Sequence, residues 1–257
     1  MAKQLDYSQV ANKIVNFLKE EFGSRGKKAV VLGISGGIDS TTTAFLCKKA
    51  DLDLYAVILP YQNRNMEASM DAINALDLPK DRIITIDISS ASDAQVAELE
   101  KVTKLDDIDK GNIMARQRMI AQYALARRVG GLVIGTENLS EYYLGYFTLY
   151  GDQACDISAI SGLWKTQVRE LAKYLGVPEK LVQKTPTAGL WEGQTDESEF
   201  GFTYQDADQI MQLSIIEGLF KEDIIKQGFD EKLIDRVAQR VRVTEYKRQS
   251  APKPITF

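Results

Sequence analysis

The sequence contains no histidine, and this absence limits the chemistry open to the protein. Among its 257 residues, the histidine count is zero. Catalytic triads that use histidine and metal sites with imidazole ligands are therefore excluded. Any proton transfer has to use carboxylates, lysine, tyrosine or water.

Cysteine is also scarce, with two residues, Cys47 and Cys155, far apart in the chain. Neither a disulfide framework nor a C-x-x-C metal motif is present, which favours a reducing, cytoplasmic setting. No apolar run approaches the length of a membrane span, and no signal peptide is evident, so no membrane association is expected. The net charge of −4 argues against a general nucleic-acid surface.

The composition is that of a soluble globular protein, with 44% hydrophobic and 26% charged residues. Residues 1–257 are expected to form one α/β domain without a linker or an internal repeat. Apolar runs at 29–32, 54–59, 83–88 and 132–135 alternate with helical segments. This order predicts a doubly wound, mostly parallel sheet flanked by helices, with ligands at the carboxyl ends of its strands.

Helical periodicity indicates helices at 8–22, with Ser8 as a candidate N-cap, at 66–76, and at 165–176. A long helix follows Lys110, and on it Arg116 shares a face with Met119, Ile120 and Tyr123. An arginine on a largely apolar face needs a specific partner. A salt bridge to a nearby acid, or a side chain that extends to solvent, is the alternative to a ligand.

The segment Gly33–Ser40, with the sequence Gly-Ile-Ser-Gly-Gly-Ile-Asp-Ser, joins the first predicted strand to a helix. Adjacent glycines let the backbone approach a ligand, and the N–H groups at the helix start favour phosphate. Asp39 would repel phosphates unless Mg²⁺ lies between them. The segment lacks the lysine of the common P-loop. An ordinary glycine turn with Asp39 or Ser40 as a cap is the alternative.

Further candidate site residues follow the fourth strand. Thr136 lies at its carboxyl end, followed by Glu141 and an aromatic run at 142–148 that is more typical of a binding loop than of a strand. Residues 184–203 lack periodicity and contain the polar segment Gly193–Glu197. A loop of this length is often a lid, and a plain surface loop is the alternative.

Several motifs occur in one order and resemble those of the ammonia-dependent NAD synthetase family, within the ATP pyrophosphatase superfamily, over nearly the whole chain. They are Gly33–Ser40, Lys110–Met119, Gly135–Asn138, Gly145–Thr148, Tyr150–Asp152, Lys165–Thr166, Pro186–Leu190, Glu192–Glu197 and Lys247–Arg248. The resemblance implies an adenine nucleotide alpha hydrolase-like fold. It also implies a ligase that adenylates the carboxylate of deamido-NAD⁺ with ATP and Mg²⁺, and then forms NAD⁺ with ammonia.

The resemblance further implies a homodimer, and no glutaminase domain is expected. It assigns roles residue by residue. The catalytic residues would be Asp39, Lys165 and Asp156, and Mg²⁺ would bind Asp39 and Glu141. ATP would contact Gly33, Ile34, Ser35, Gly36, Gly37, Ile38, Asp39, Ser40, Thr136, Lys165 and Thr187. Deamido-NAD⁺ would contact Arg116, Leu149, Asp156, Tyr246 and Lys247. On pattern alone, Lys165 and Glu141 could instead be surface charges, Asp156 a turn residue, and Thr136 the end of a strand.

Two positions depart from the family pattern. Leu149 occurs where many members have lysine, and Tyr246 occurs where they have histidine. Both family residues contact deamido-NAD⁺, whereas the phosphate and metal positions show no departure. Two alternatives therefore remain open: an amidating or adenylating ligase that acts on a different carboxylate, and a non-catalytic nucleotide-binding sensor.

Overall fold

A parallel β-sheet lies at the centre of the computed structural model, which describes residues 5–63, 66–187 and 195–254. Within these ranges, five strands pair in the order β3-β2-β1-β4-β5, all parallel. The strands are β1 Ala29–Gly33, β2 Asp53–Ile58, β3 Ile83–Thr85, β4 Leu132–Gly135 and β5 Ile157–Ser158. The predicted parallel sheet is confirmed.

Helices follow the strands and cover the sheet. They are α1 Tyr7–Ser24, α2 Ile38–Lys49, α3 Met66–Leu76, α4 Ser89–Glu100, α5 Asp107–Val129, α6 Leu139–Leu144, α7 Lys165–Tyr174, α8 Glu179–Val182, α9 Asp196–Phe200, α10 Tyr204–Met211, α11 Lys221–Lys226 and α12 Glu231–Val243. Within the described ranges, none of these helices has both the length and the apolar character that a membrane span requires.

Side-chain alternation along β1 divides the core into two layers. Val30 and Leu32 are buried in the cluster that contains residues of α1, α2 and α7. Val31 points to the opposite cluster, in which it packs with Val57, Val133 and residues of α5. Because successive strand residues face opposite sides, a continuous apolar run is what a sheet covered on both faces requires.

A third apolar cluster joins the C-terminal helices to the rest of the protein. Its buried members include Leu144 of α6, Trp164, Tyr204 and Ile210 of α10, and Val237 of α12. α10 packs against both α6 and α7. The C-terminal helices are therefore anchored beside the loops that follow β4.

The strand order places a topological switch point between β1 and β4. From β1 the chain continues through β2 to β3 on one side, and it then returns to β4 on the other side of β1. Loops that leave the carboxyl ends of β1 and β4 diverge there and leave a crevice, which is where ligands bind in open α/β sheets. The segments Gly33–Ser40 and Thr136–Glu141 both begin at this crevice.

Several local predictions differ from the structure. The N-cap of α1 is Asp6, not Ser8, because the Asp6 carboxylate accepts hydrogen bonds from the amides of Ser8 and Gln9. The first part of the aromatic run at 142–148 lies in α6, which ends at Gly145 in the left-handed region. α4 and β5 were not predicted from the sequence.

Candidate active site at the carboxyl edge of the sheet

A cavity of about 470 Å³ opens at the crevice between β1 and β4. The loop after β1 forms one wall, and Thr136 after β4 and Glu141 on α6 form another. Lys165, at the first position of α7, and Lys247, near the C-terminus, also line it. Residues that are distant in sequence therefore line one cavity, and the charged side chains among them include both acidic and basic ones.

The loop after β1 depends on glycine for its shape. Gly36 has φ +72, and a Cβ at this position would lie 2.3 Å from the carbonyl carbon of Ala68. Both the left-handed backbone and the close approach of α3 exclude a side chain. The hydroxyl oxygens of Ser35 and Ser40 lie 3.1 Å apart, and the Ser35 hydroxyl accepts from the amide of Gly37. The serines therefore stabilise the loop from within.

Helix α2 presents the positive end of its dipole to this cavity. Gly37 is the N-cap, and no described side chain caps the first turn. The N–H groups of the first turn lack partners within the helix, so they are available to an anion. Lys48 and Lys49 lie in the last turn, where cations are favoured. The geometry matches the phosphate-binding role predicted for Gly33–Ser40.

A buried lysine joins the two carboxylates that were predicted to bind metal. Lys165 Nζ lies 2.5 Å from Asp39 Oδ2 and 3.0 Å from Glu141 Oε1, and the three side chains are 4%, 15% and 17% exposed. Burial acts to lower the pKa of Lys165, but the attraction of Asp39 and Glu141 outweighs it and raises the pKa above its usual range. Lys165 is therefore an ammonium ion at neutral pH.

Burial also raises the pKa of Glu141. Lys165 lowers it by a smaller amount, and the charge of Asp39 adds to the increase. When Glu141 is ionised, one ammonium ion balances two carboxylates only in part. A further cation would then stabilise the ionised form of Glu141 in this partly desolvated site.

Asn138 holds the two carboxylates in place. Its side-chain amide donates to Asp39 Oδ1 at 2.9 Å, and its side-chain oxygen accepts from the amide of Glu141 at 3.0 Å. Glu141 Oε2 accepts from the amide of Asn138 in return, which completes a capping box at the start of α6. The same asparagine therefore begins α6 and orients Asp39.

The donor set at this cluster fits Mg²⁺. Mg²⁺ prefers oxygen ligands and is usually bound through one or two carboxylates together with substrate phosphates and water. Asp39 and Glu141 both reach one point, the position of Lys165 Nζ, beside the phosphate loop. Within the described residues, no cluster of three or more His, Cys, Asp or Glu side chains is placed to enclose a metal by itself. Phosphate oxygens would have to complete the coordination.

Glu137 contributes a further, half-buried carboxylate next to this cluster. Among the described residues, its Oε1 atom is buried without a hydrogen-bond partner. Burial raises the pKa of Glu137 to about 8, and repulsion from Glu141 contributes, whereas Lys247 acts in the opposite direction. Glu137 is therefore mostly protonated at neutral pH.

The residues predicted to contact ATP converge on the cavity. Thr136 and Thr187 both line it. Lys184 also lines the cavity, and its Nζ donates to the carbonyl oxygen of Gly36 at 3.3 Å. The lysine that the phosphate loop lacks in sequence is thus present in space, from a position 148 residues further along the chain.

The residues predicted to contact deamido-NAD⁺ are more dispersed. Lys247 lines the cavity and donates to the carbonyl oxygens of Gly145 and Phe147 at 2.8 and 2.7 Å. Arg116 is exposed, and its guanidinium donates to the carbonyl oxygen of Leu149 at 3.3 and 3.2 Å. Arg116 and Leu149 therefore contact each other outside the set of residues that line the cavity.

Asp156 and Tyr246 also lie outside the cavity lining. Asp156 Oδ2 accepts from the amide of Val133 at 2.8 Å, so its carboxylate is bonded to the backbone of β4. Tyr246 is 64% exposed. The structure therefore brings together the predicted phosphate and metal residues, and it leaves most of the predicted dinucleotide residues at the surface of one chain.

Two sequence predictions need correction or fall outside the described residues. The face of α5 with Arg116, Met119, Ile120 and Tyr123 is only partly buried: Arg116 and Ile120 are exposed, whereas Met119 is half-buried and Tyr123 packs against the cluster that contains Val31. Arg116 therefore lies on the exposed side of this face, and its partner is the carbonyl oxygen of Leu149. The predicted lid at 184–203 includes residues 188–194, which lie outside the described residues, and its later part contains α9.

The sequence motifs predict no role for Asn138, Lys184 or Asp208. Asn138, directly before an apolar turn and three residues before Glu141, carries a capping-box signal that could have been used. No local signal marks Lys184 or Asp208, because their partners are distant in sequence.

Known proteins resemble this chain over nearly its whole length. The family model described as NAD synthase matches residues 10–251. The ammonia-dependent NAD⁺ synthetase of Pyrococcus horikoshii is 42% identical over 249 residues, which are 95% of this chain and 93% of the relative. That of Fusobacterium nucleatum is 38% identical over 247 residues, 95% of each chain.

Among solved structures, the NMN synthetase from Francisella tularensis superposes with a TM-score of 0.86 at 36% identity. The alignment covers 99% of this chain and 100% of that structure's chain. The sequence matches and the superposition confirm both the fold and the resemblance drawn from the motifs. The chain therefore belongs to the NAD synthase family, whose ammonia-dependent members are ligases that form a carbon–nitrogen bond.

Proposed function

We propose that the protein uses ATP, Mg²⁺ and ammonia to amidate deamido-NAD⁺, giving NAD⁺, AMP and pyrophosphate. The observation that supports this most directly is the Asp39–Lys165–Glu141 cluster beside a glycine phosphate loop, in a chain 38% to 42% identical to ammonia-dependent NAD⁺ synthetases. The charges, the loop and the open helix start together suit a triphosphate that is cleaved rather than merely bound.

In the first step, a carboxylate oxygen of the substrate attacks the α-phosphorus of ATP. The bond from this phosphorus to the leaving pyrophosphate breaks. The N–H groups at the start of α2 and the hydroxyls of Ser35 and Ser40 bind the pyrophosphate, and Thr136 and Thr187 contact ATP. Asp39 and Glu141 would hold Mg²⁺, which would supply positive charge to the phosphates. Lys165 adds a fixed ammonium charge where negative charge develops.

In the second step, the nitrogen of ammonia attacks the carbonyl carbon of the adenylated carboxylate. The carbon–oxygen bond to AMP breaks, and the nitrogen loses one proton to give the amide. With no histidine in the chain, water or a carboxylate is proposed to accept that proton. Arg116, Asp156 and Lys247 are proposed to bind the dinucleotide, with Asp156 also close to the amidation step.

A second candidate is the amidation of nicotinate mononucleotide. This compound carries the same nicotinate carboxylate but lacks the adenylate half of deamido-NAD⁺. Two observations favour it: the likeness to an NMN synthetase over 99% of the chain, and the presence of Leu149 and Tyr246 at positions where the family uses a cation and an imidazole. Loss of those groups removes contacts for deamido-NAD⁺ and leaves the phosphate and metal residues unchanged.

Turnover assays separate these possibilities. Purified protein is given ATP, Mg²⁺ and ammonium with either deamido-NAD⁺ or nicotinate mononucleotide, and AMP and the amide product are quantified. A higher kcat/KM for deamido-NAD⁺ supports the first candidate, and a higher value for the mononucleotide supports the second. ATP binding without AMP formation from either substrate would contradict both and would indicate a nucleotide sensor.

The variants Leu149→Lys and Tyr246→His test whether these two positions determine which of the two substrates is preferred. If the two departures set the preference, the double variant gains kcat/KM for deamido-NAD⁺ relative to the mononucleotide. An unchanged ratio would mean that neither position determines the acceptor. Thr136 lies in the cavity wall, and its conservative variant Thr136→Ser serves as a control that should not alter the ratio.

We also propose that the protein acts as a cytoplasmic homodimer and as one domain over residues 1–257, with free ammonia as its nitrogen donor. The free cysteines Cys47 and Cys155 suit a reducing compartment. Ile120 on α5 is 54% exposed one turn from Arg116, which offers an apolar contact surface. Light scattering of the purified protein tests the dimer, and a monomeric mass at assay concentration would contradict it.

A further inference from the structure

Asp208 on α10 is a buried carboxylate that has no part in the reaction described above. Its residue is 3% exposed. Its Oδ1 atom accepts from the Ser140 hydroxyl at 2.5 Å, and its Oδ2 atom accepts from the amide and the hydroxyl of Thr166 at 3.0 and 2.8 Å. A buried carboxylate is costly unless hydrogen bonds compensate it, and here three donors do so.

The partners of Asp208 are the chain neighbours of the reaction-centre residues. Ser140 directly precedes Glu141, and Thr166 directly follows Lys165. The amide of Lys165 also donates to the Ser140 hydroxyl at 2.7 Å. The Asp208 carboxylate therefore connects the first turn of α6, which carries Glu141, with the first turn of α7, which carries Lys165.

Asp208 also serves α7 as a distant acceptor. The amide of Thr166 is one of the first N–H groups of α7 and has no acceptor within the helix. A negative charge at the helix N-terminus is favourable. Because the acceptor comes from another helix, the start of α7 is fixed in relation to α10 as well as to α6.

A second contact from the same helix reaches Lys165 itself. The Tyr204 ring lies 5.3 Å from Lys165 Nζ, and the Tyr204 hydroxyl donates to Asp196 at 2.9 Å. Tyr204 and Asp208 are four residues apart on α10, so they share one face of the helix. Both the backbone start and the ammonium end of Lys165 are thus supported by α10.

We propose that Asp208 is a positioning residue that sets the separation between Lys165 and Glu141 and thereby the rate of adenylation. This inference rests on the proposed ATP-dependent chemistry. The phosphate loop at Gly33–Ser40 has no bond to Asp208 among the described contacts. Loss of Asp208 should therefore lower kcat and change the KM for ATP little, because displacement of catalytic groups by about 1 Å can cost on the order of a hundredfold in rate.

Three variants of α10 test the proposal by AMP release at saturating ammonia, with chemical unfolding measured in parallel. Asp208→Ala is expected to lower kcat by at least about tenfold and to leave the KM for ATP within about threefold. Asp208→Asn should recover much of the rate, because its amide oxygen can accept from Thr166 while its NH₂ donates to Ser140. Asp206→Ala removes the exposed bond that the Thr203 hydroxyl donates to the Asp206 carboxylate at the start of the same helix and should lower stability only.

An unchanged kcat in Asp208→Ala, or a decrease that Asp206→Ala reproduces at equal stability, would overturn the proposal. If Asp208→Ala does not fold, Thr166→Val decides the matter. A lower kcat at constant KM for ATP supports positioning, and a wild-type kcat refutes it. AMP release by the wild type in the same assay shows that the proposed function holds. No AMP release by the wild type would refute both the proposed function and this inference. Equal AMP release by the wild type and Asp208→Ala would refute this inference alone.

Discussion

Replacement of Lys165 by methionine would keep most of the length of the side chain and remove its charge. The ammonium group is bonded to Asp39 and Glu141, and the lysine side chain is 4% exposed. Without the ammonium ion, two partly buried carboxylates face each other with no counter-charge from a lysine. The variant should therefore be much less stable than the wild type when no divalent cation is present.

The size of the effect follows from the burial of the cluster. Removal of one partner from a buried ion pair costs about 3–5 kcal/mol of unfolding free energy. Protonation of Glu141, whose pKa burial already raises, relieves part of this cost at low pH. A carboxylate whose pKa is higher in the folded than in the unfolded state destabilises the fold as it ionises. The stability deficit of Lys165→Met should therefore grow between pH 6 and 8. Mg²⁺ should restore about 2.7 kcal/mol at a hundred times its dissociation constant.

Urea unfolding monitored by tryptophan fluorescence, with and without Mg²⁺, measures these quantities. Lys173→Met is the matched control on the same helix, because Lys173 and its partner Glu170 are 48% and 50% exposed, and exposed pairs contribute less than about 1 kcal/mol. If Lys165→Met lost no more stability than Lys173→Met, the buried cluster would not have the energetic role described. A Mg²⁺ stabilisation no larger than that of the wild type would refute the shared site of metal and ammonium ion.

Three further outcomes are expected. Asp39→Ala should lower kcat by about a hundredfold or more, the cost of removing a group that stabilises transition-state charge, while circular dichroism is unchanged; near-normal turnover with Mg²⁺ would contradict its assignment. Lys184→Met should raise the KM for ATP about tenfold, the value of one charged hydrogen bond, whereas Lys180→Met, which removes a surface pair with Asp71, should leave it unchanged in the same kinetic assay. Glu137→Gln should gain stability relative to the wild type as the pH rises toward 8, because Glu137 has a folded-state pKa raised to about 8 and destabilises the fold as it ionises. Urea unfolding at pH 5 and pH 8.5 measures this difference, and a constant difference would contradict the raised pKa of Glu137.

The central fold and the phosphate loop were predictable because their signals are local. The apolar runs predicted β1, β2 and β4 to within one residue of their observed bounds, since buried strands leave a continuous apolar pattern. The run at 83–88 gave the start of β3, but this strand ends at Thr85. Gly36 is required both for its backbone conformation and for its contact with Ala68, and its place in the motif revealed it. β5, with two residues, is too short to leave such a pattern.

Contacts between distant segments were not predictable from the sequence. Lys184 reaches Gly36 across 148 residues, and Asp208 reaches Ser140 across 68 residues. Arg116 was predicted on a largely apolar face, but how much of that face is buried depends on how α5 rotates against β1 and β4. Distant contacts and the rotation of a helix are set by the packing of the whole domain, and the neighbouring residues in the sequence do not reveal them.

The position of Lys165 between Asp39 and Glu141 has a consequence for the order in which ligands bind. Free Mg²⁺ has to compete with a tethered ammonium ion for the same two carboxylates. When a nucleotide binds, its phosphate oxygens can bond to the ammonium group of Lys165. Nucleotide binding would therefore free the carboxylates of Asp39 and Glu141 for the metal. Nucleotide and metal should therefore bind with positive cooperativity, and each should raise the affinity of the other by the same factor.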